Sequence, residues 1–376
     1  MSQKILLVME NEFEKCPRAR RLFMALAARH QVKHICRPLL NENNQAGNLL
    51  WHLNKNLHSP LTRKLVDLAI KFNLLNFALG YKSRCYDVGN VKDGDFDYIF
   101  VYQLYLLPHF IEFKKTKVIF DARECYPLQL ANNKKWLSTH GKLAEFACKK
   151  LIPKVYKTTT VSPSLQTYYQ ALTGRKPELF PSYPHSSYRV NALDKAIGTP
   201  IRLIHHGSCD RKRELHQMIE LMQLLGSNFQ LDLMLVYKPG NSYIKEIELL
   251  VDKTDNVQLI DAVSPEQIIK STMVYDLGLF LLPDNGSQNK YALPNKYFEF
   301  LYAGLPVITS GSIDMKMYTD KYGFGLSFLN ESLQEIADHI KHITKEDIEK
   351  FKRSIDKEVS FFTVEENIKQ CLPELI

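Results

Sequence analysis

The chain has 376 residues, 45% of them hydrophobic and 24% charged, which exceeds the size one core usually reaches, leaves no room for widespread disorder and makes two domains the expectation. No apolar run approaches the ~20 residues of a membrane-spanning helix. The formal net charge of +8 favours an anionic partner, but the basic residues are dispersed and no zinc-finger, basic-zipper or RNA-recognition signature is present, so nucleic acid is not expected.

The first apolar run, Ile5-Leu6-Leu7-Val8, ends before Glu10 and reads as a buried strand and not as a signal peptide. The loop after it, Glu10 to Arg18, contains no glycine, so the Gly-x-Gly-x-x-Gly turn of nicotinamide and flavin dehydrogenases is missing. No Walker loop occurs either, which argues against P-loop kinases and ATPases. Cys16-Pro17-Arg18-Ala19-Arg20-Arg21 opens a helix. A second strand is expected at Val32–Ile35. Residues 46–86 then form a basic amphipathic helical insertion, in which Trp51, Leu65, Leu68 and Phe72 alternate with Lys55, Arg63, Lys64 and Lys71. This pattern fits an interfacial helix on an anionic membrane face, and equally a helix pair packed on its own domain.

Further strands are expected at Tyr98–Val101, Val118–Phe120 and Thr158–Val161. Asp121-Ala122-Arg123-Glu124 follows the second of these, so its side chains belong to the carboxyl edge of the sheet, where open α/β sheets bind ligands. The alternative for this stretch is a strand-end turn with a capping aspartate. A turn-rich segment closes a first domain over residues 1–185, and residues 186–200 read as a linker. A second series of strands begins at Ile201–Ile204 and continues through Leu231–Val236, Val257–Ile260, Leu277–Leu282 and Val307–Thr309. Two doubly wound α/β domains fit this rhythm, the second covering residues 201–355.

In the second series, His205-His206-Gly207-Ser208-Cys209-Asp210-Arg211-Lys212-Arg213 runs from a strand through a glycine into basic residues, the layout of a phosphate cradle. Asp284 to Asn289 is a polar loop. In Leu293-Pro294-Asn295-Lys296-Tyr297-Phe298-Glu299, Pro294 suits a first helical position and Gly304 the left-handed stop. Lys296 and Glu299 therefore share one helix face, and Glu299 sits among aromatics, where a carboxylate is costly without a partner. A sugar hydroxyl pair would serve as that partner; a capped helix with a plain Lys-Glu pair is the competing account. The seven scattered cysteines lack Cys-x-x-Cys spacing and read as free thiols in a reducing cytosol, without structural zinc.

The segment from Pro294 to Val307 resembles the donor-binding motif of GT-B glycosyltransferases of the family 4-like group, a Pro-Asn-Lys-x-x-Glu helix followed by Ala-Gly-x-Pro-Val. The resemblance implies two Rossmann-like domains facing across a cleft, the second binding a nucleotide-diphosphate sugar, UDP- or GDP-linked, and the first an acceptor. It assigns Glu299 to the ribose, Lys296 and Arg213 to the diphosphate with Arg211 as second choice, and Gly207, Ser287, Tyr291 and Asn295 to the remaining donor contacts. The family's first glutamate of a Glu-x7-Glu pair falls at Tyr291. Asp121 to Glu124 resembles the family's Asp-Ala-His-Glu, with Arg123 replacing histidine. Asp121, Arg123 and Glu124 are thus the candidate catalytic group, Arg123 in a binding role because a guanidinium cannot act as a base. Arg18 and Arg20 resemble the acceptor side, and residues 356–376 resemble the family's closing helix, which returns to the first domain.

The implied activity is sugar transfer to a glycan or lipid-linked acceptor, without cofactor or metal and with retention of configuration. The implied setting is surface polysaccharide or lipopolysaccharide assembly at the cytoplasmic membrane face. A non-catalytic nucleotide-sugar binder and a nucleotide-sugar epimerase of the same fold are the alternatives.

Overall fold

The computed structural model describes residues 2–36, 49–50, 52–53, 59–190, 196–283 and 288–375. Each apolar run read above as a strand lies in one of two parallel sheets. The first sheet contains β1 (Lys4–Val8), β2 (Gln31–Cys36) and β3 (Leu49–Leu50). A two-stranded antiparallel ribbon joins β4 (His52–Leu53) to β5 (Tyr86–Asp87), and the first sheet resumes with β6 (Tyr98–Val101), β7 (Lys117–Ala122), β8 (Lys157–Thr160) and β9 (Glu178–Leu179). Its order is β3-β2-β1-β6-β7-β8-β9. The second sheet contains β10 (Ile201–Ser208), β11 (Phe229–Val236), β12 (Val257–Ile260), β13 (Leu277–Phe280), β14 (Val307–Ser310) and β15 (Gly325–Phe328), in the order β12-β11-β10-β13-β14-β15.

Both orders reverse direction beside their first strand, between β1 and β6 and between β10 and β13, and such switch points are where parallel sheets open a crevice at their carboxyl ends. The central strands read as unbroken apolar runs because helices cover both faces. Tyr98–Val101 and Leu277–Phe280 are buried at every position.

The chain divides into two compact units. One comprises Met1–Pro181, Gly286–Gln288 and Val364–Ile376, the other Ser182–Asn285 and Asn289–Thr363. The sequence puts residues up to 185 in the first domain and treats 186–200 as a linker, whereas the described part of this stretch is packed on the second unit. Tyr183 meets Phe298 edge-on at 4.7 Å, and Arg189 Nη2 bonds Asp356 Oδ1 at 2.7 Å. In the first unit, the C-terminal helix Val364–Cys371 buries Val364, Ile368 and Cys371 in the same core as Ile5, Leu22 and Phe180.

Within residues 46–86 the structure describes two helices, Pro60–Lys71 and Leu75–Ser83. Trp51 and Lys55 lie outside the described residues. Ser59 caps the first helix by accepting from Thr62 N, and Val66, Ala69 and Ile70 face inward. The opposite face, Leu61, Leu65, Leu68 and Phe72, is exposed, as are Leu74 and Phe77 beyond it.

Candidate donor site in the second unit

β10 and β11 pair over eight residues, from Ile201–Phe229 to Ser208–Val236, so the His205-His206-Gly207 segment emerges at the carboxyl edge of the sheet. On the neighbouring strand, β13, Gly278 lets the helix Asn295–Tyr302 pack closely. A Cβ there would lie 2.5 Å from the Phe300 ring. The helix starts after Pro294 in extended backbone, with no side chain capping it, and Gly304 ends it at φ 71°. Its first turn therefore presents backbone N–H groups and the positive end of the helix dipole at the crevice.

Lys296 is the second residue of that helix. Its Nζ lies 3.4 Å from His205 Nε2 and 4.1 Å from the centroid of Phe280, while the Arg213 guanidinium sits 6.0 Å from the same ring. His205 is buried, and its Nδ1 donates to the Leu279 carbonyl at 2.9 Å, which turns the Nε2 lone pair towards the ammonium. Burial and the adjacent Lys296 hold the His205 ring well below its ordinary pKa, so it is neutral. Lys296 keeps part of its surface exposed. Even so, desolvation, reinforced by Arg213 and opposed by Glu299, pushes its ammonium well below the ordinary lysine value. Two cations side by side above an aromatic floor are a poor arrangement alone and a good one around a diphosphate.

Gly207 makes the arrangement possible. It holds φ 141°, and a Cβ built on it would stand 2.8 Å from Lys296 Nζ. One helical turn from Lys296, Glu299 is buried, its Oε2 3.6 Å from His206 Nε2, and the His206 ring meets Phe300 edge-on at 5.0 Å.

The two arginines that the sequence ranks first and second for the diphosphate stand in different surroundings. Arg211 is turned outward, paired with Glu246 and set 4.8 Å over the Tyr243 ring, so Arg213 alone of the two stands with Lys296. Asn295 opens the helix, and Tyr291 ends the short turn Gln288–Tyr291 with Lys290 Nζ 4.9 Å over its ring. Ser287 lies outside the described residues.

In the first unit, Asp121 and Arg18 bind each other. Arg18 Nε and Nη2 reach the two carboxylate oxygens at 2.6 and 2.8 Å, Thr159 Oγ1 donates to Asp121 at 2.8 Å, and Arg18 also reaches the Phe180 carbonyl at 2.6 Å. Both side chains are buried. The pair fastens the first helix to β7, so each side chain meets the other's charge there. Glu124 bonds Gln129, and Arg20 reaches Glu14 at 3.4 Å.

Residues 238–374 match the family model described as glucosyltransferase 3-like, C-terminal domain. No curated protein sequence matches the chain. Among solved structures, sucrose-phosphate synthase from Thermosynechococcus elongatus is similar over 99% of this chain and 99% of its own, with TM-score 0.72 and 14% identity. The chain has the GT-B fold. HepE of Anabaena, solved in complex with UDP and glucose, has TM-score 0.67 at 13% identity over 99% of both chains. WaaG, a glycosyltransferase involved in lipopolysaccharide biosynthesis, has TM-score 0.65 at 14% identity, covering 97% of this chain and 99% of its own.

Within this GT-B chain, sequence reasoning missed His205 and Phe280. The histidine pair before Gly207 was a visible signal, since two consecutive histidines at a strand's carboxyl end put one on each face of the sheet. Phe280 carried no such signal, because an aromatic ending an apolar strand reads as core. Among the described residues, no helix is long and apolar enough to cross a membrane.

Proposed function

We propose that the protein is a glycosyltransferase whose second unit binds a nucleotide-diphosphate sugar and whose first unit receives a glycan or lipid-linked acceptor. The observation that carries this is the Lys296 ammonium, held against the Gly207 backbone beside Arg213, one helical turn from the buried Glu299. In this reading Arg213 and Lys296 meet the charge that develops on the departing diphosphate, aided by the helix N-terminus, without a metal ion. Glu299 accepts hydrogen bonds from the ribose hydroxyls. Asn295, Tyr291 and Ser287 complete the donor contacts.

The family match over residues 238–374 supports sugar transfer, and the UDP-bound structure of HepE supports a uridine nucleotide ahead of a guanosine one. Transfer proceeds with retention, the leaving phosphate taking the acceptor proton, which needs no glycosidase-type carboxylate pair. The test is calorimetric titration of UDP, GDP and their sugars into the wild type and Glu299→Ala. Binding that is lost in the folded variant upholds the reading, and a folded wild type that binds no nucleotide overturns it.

The setting we propose is surface polysaccharide or lipopolysaccharide assembly at the inner face of the cytoplasmic membrane. It is supported by the exposed stripe Leu61, Leu65, Leu68 and Phe72, bordered by Lys64 and Lys71. An apolar stripe with basic margins suits an anionic leaflet, each basic residue near the surface adding about 1 kcal/mol. Co-sedimentation with phosphatidylglycerol vesicles that disappears in Leu65→Glu/Leu68→Glu supports this location, and equal recovery of both proteins with the vesicles refutes it.

A further inference from the structure

The first unit contains a cationic corner that the donor chemistry leaves unused. The helix Pro17–Ala27 begins with Cys16 at its N-cap, and no side chain caps it. Arg123 extends from the end of β7 to this helix start, where its Nη1 donates to Cys16 Sγ at 3.4 Å, a long contact with a weak acceptor. Its Nε is buried and has no hydrogen-bond partner among the described residues. The nearby carboxylates are otherwise engaged, Asp121 with Arg18 and Thr159 and Glu124 with Gln129.

A largely buried guanidinium is costly to desolvate; Glu124 and Asp121 favour its charge from nearby without bonding it, and the helix end adds partial positive charge at the same point. With Nη1 on the cysteine sulfur, the Nε–Nη2 edge is the side of the fork left for a bidentate oxyanion. Two elements thus bring positive charge to one point, and among the described residues no anion is hydrogen-bonded to it.

We infer that Arg123 and the Pro17–Ala27 helix start hold an oxyanion of the acceptor, a sugar phosphate or a sugar carboxylate, so that the acceptor class is anionic. The inference rests on the glycosyltransferase reading and narrows its acceptor. Arg123 acts here as a binding residue that orients the acceptor in the first unit, and its charge excludes neutral sugars lacking an oxyanion from the tight-binding set.

The test uses the full chain with UDP present, and titrates glucose 6-phosphate, glucuronate and neutral glucose into wild type, Arg123→Gln and Arg123→Lys. Wild type is expected to bind one or both anionic sugars at least tenfold more tightly than glucose. Arg123→Gln should lose that preference, and Arg123→Lys, which keeps the charge but not the fork, should retain only part of it. UDP binding should persist in both variants and show that the second unit is folded, and urea unfolding followed by Trp136 fluorescence, a residue of the first unit, should show that the first unit is folded as well. Phosphate preferred over carboxylate, or the reverse, names the source of the oxyanion. Equal binding of glucose and the anionic sugars, or a preference untouched in both variants, overturns the inference while leaving the donor reading intact. Failure of wild type to bind UDP overturns the donor reading, and the inference with it.

Discussion

Replacing Lys296 by methionine should move stability and donor binding in opposite directions. A lysine whose folded-state pKa lies below its unfolded value binds fewer protons folded than unfolded. Its penalty is therefore full below the folded pKa, falls as pH rises, and vanishes above the unfolded value near 10.4. At pH 7 the penalty cannot exceed the free energy of deprotonating an ordinary lysine, about 5 kcal/mol at 1.36 kcal/mol per pH unit. Partial exposure of Lys296 reduces it, and the contact with the Phe280 ring at 4.1 Å gives back about 0.5–2 kcal/mol. Lys296→Met, nearly isosteric and apolar, should thus raise stability by about 1–3 kcal/mol at pH 7, at roughly 2–4 °C per kcal/mol for a unit of this size. The gain should shrink as pH rises towards 10. The same substitution removes a charged contact to the diphosphate, about 1.5–3 kcal/mol, so UDP should bind roughly 10- to 150-fold more weakly. Denaturant unfolding between pH 7 and 9.5, together with calorimetric titration of UDP, measures both. A variant less stable than wild type, with an unchanged pH slope, would refute the account of a strained ammonium, and unchanged UDP affinity would refute its place in the donor site.

Gly207→Ala should cost about 1–3 kcal/mol, because its φ of 141° is nearly reserved for glycine, and its methyl would also displace Lys296 Nζ and weaken UDP binding. Thermal melts and UDP titration check both effects. Arg213→Ala should weaken UDP binding roughly tenfold or more, whereas Arg211→Ala, whose guanidinium pairs with Glu246 on the surface, should leave it within about twofold. Asp121→Asn should destabilise the first unit by about 3–5 kcal/mol in urea unfolding, since Arg18 would then be buried without its counter-charge. Gly278→Ala should lower the melting temperature by forcing the Phe300 ring away from β13, at about 1–3 kcal/mol.

The strands were legible because parallel strands covered on both faces are written as plain apolar runs, and the helix Asn295–Tyr302 because proline and glycine mark its ends. Lys296 and Glu299 could be placed on one face from spacing alone. The family resemblance ranked Arg213 ahead of Arg211, but periodicity alone could not, since they lie two residues apart on the same turn. That choice depends on Glu246, which lies on a different helix, and on Phe280, which lies on a different strand. Nor could periodicity show that Asp121 faces Arg18 across 103 positions and is neutralised there, while Arg123, two residues on, has no hydrogen-bonded carboxylate among the described residues. Periodicity and turn chemistry act between neighbours in the chain, so they fixed the elements. Which charges are compensated depends on what the sheets bring together from distant segments, and only the tertiary structure decided that.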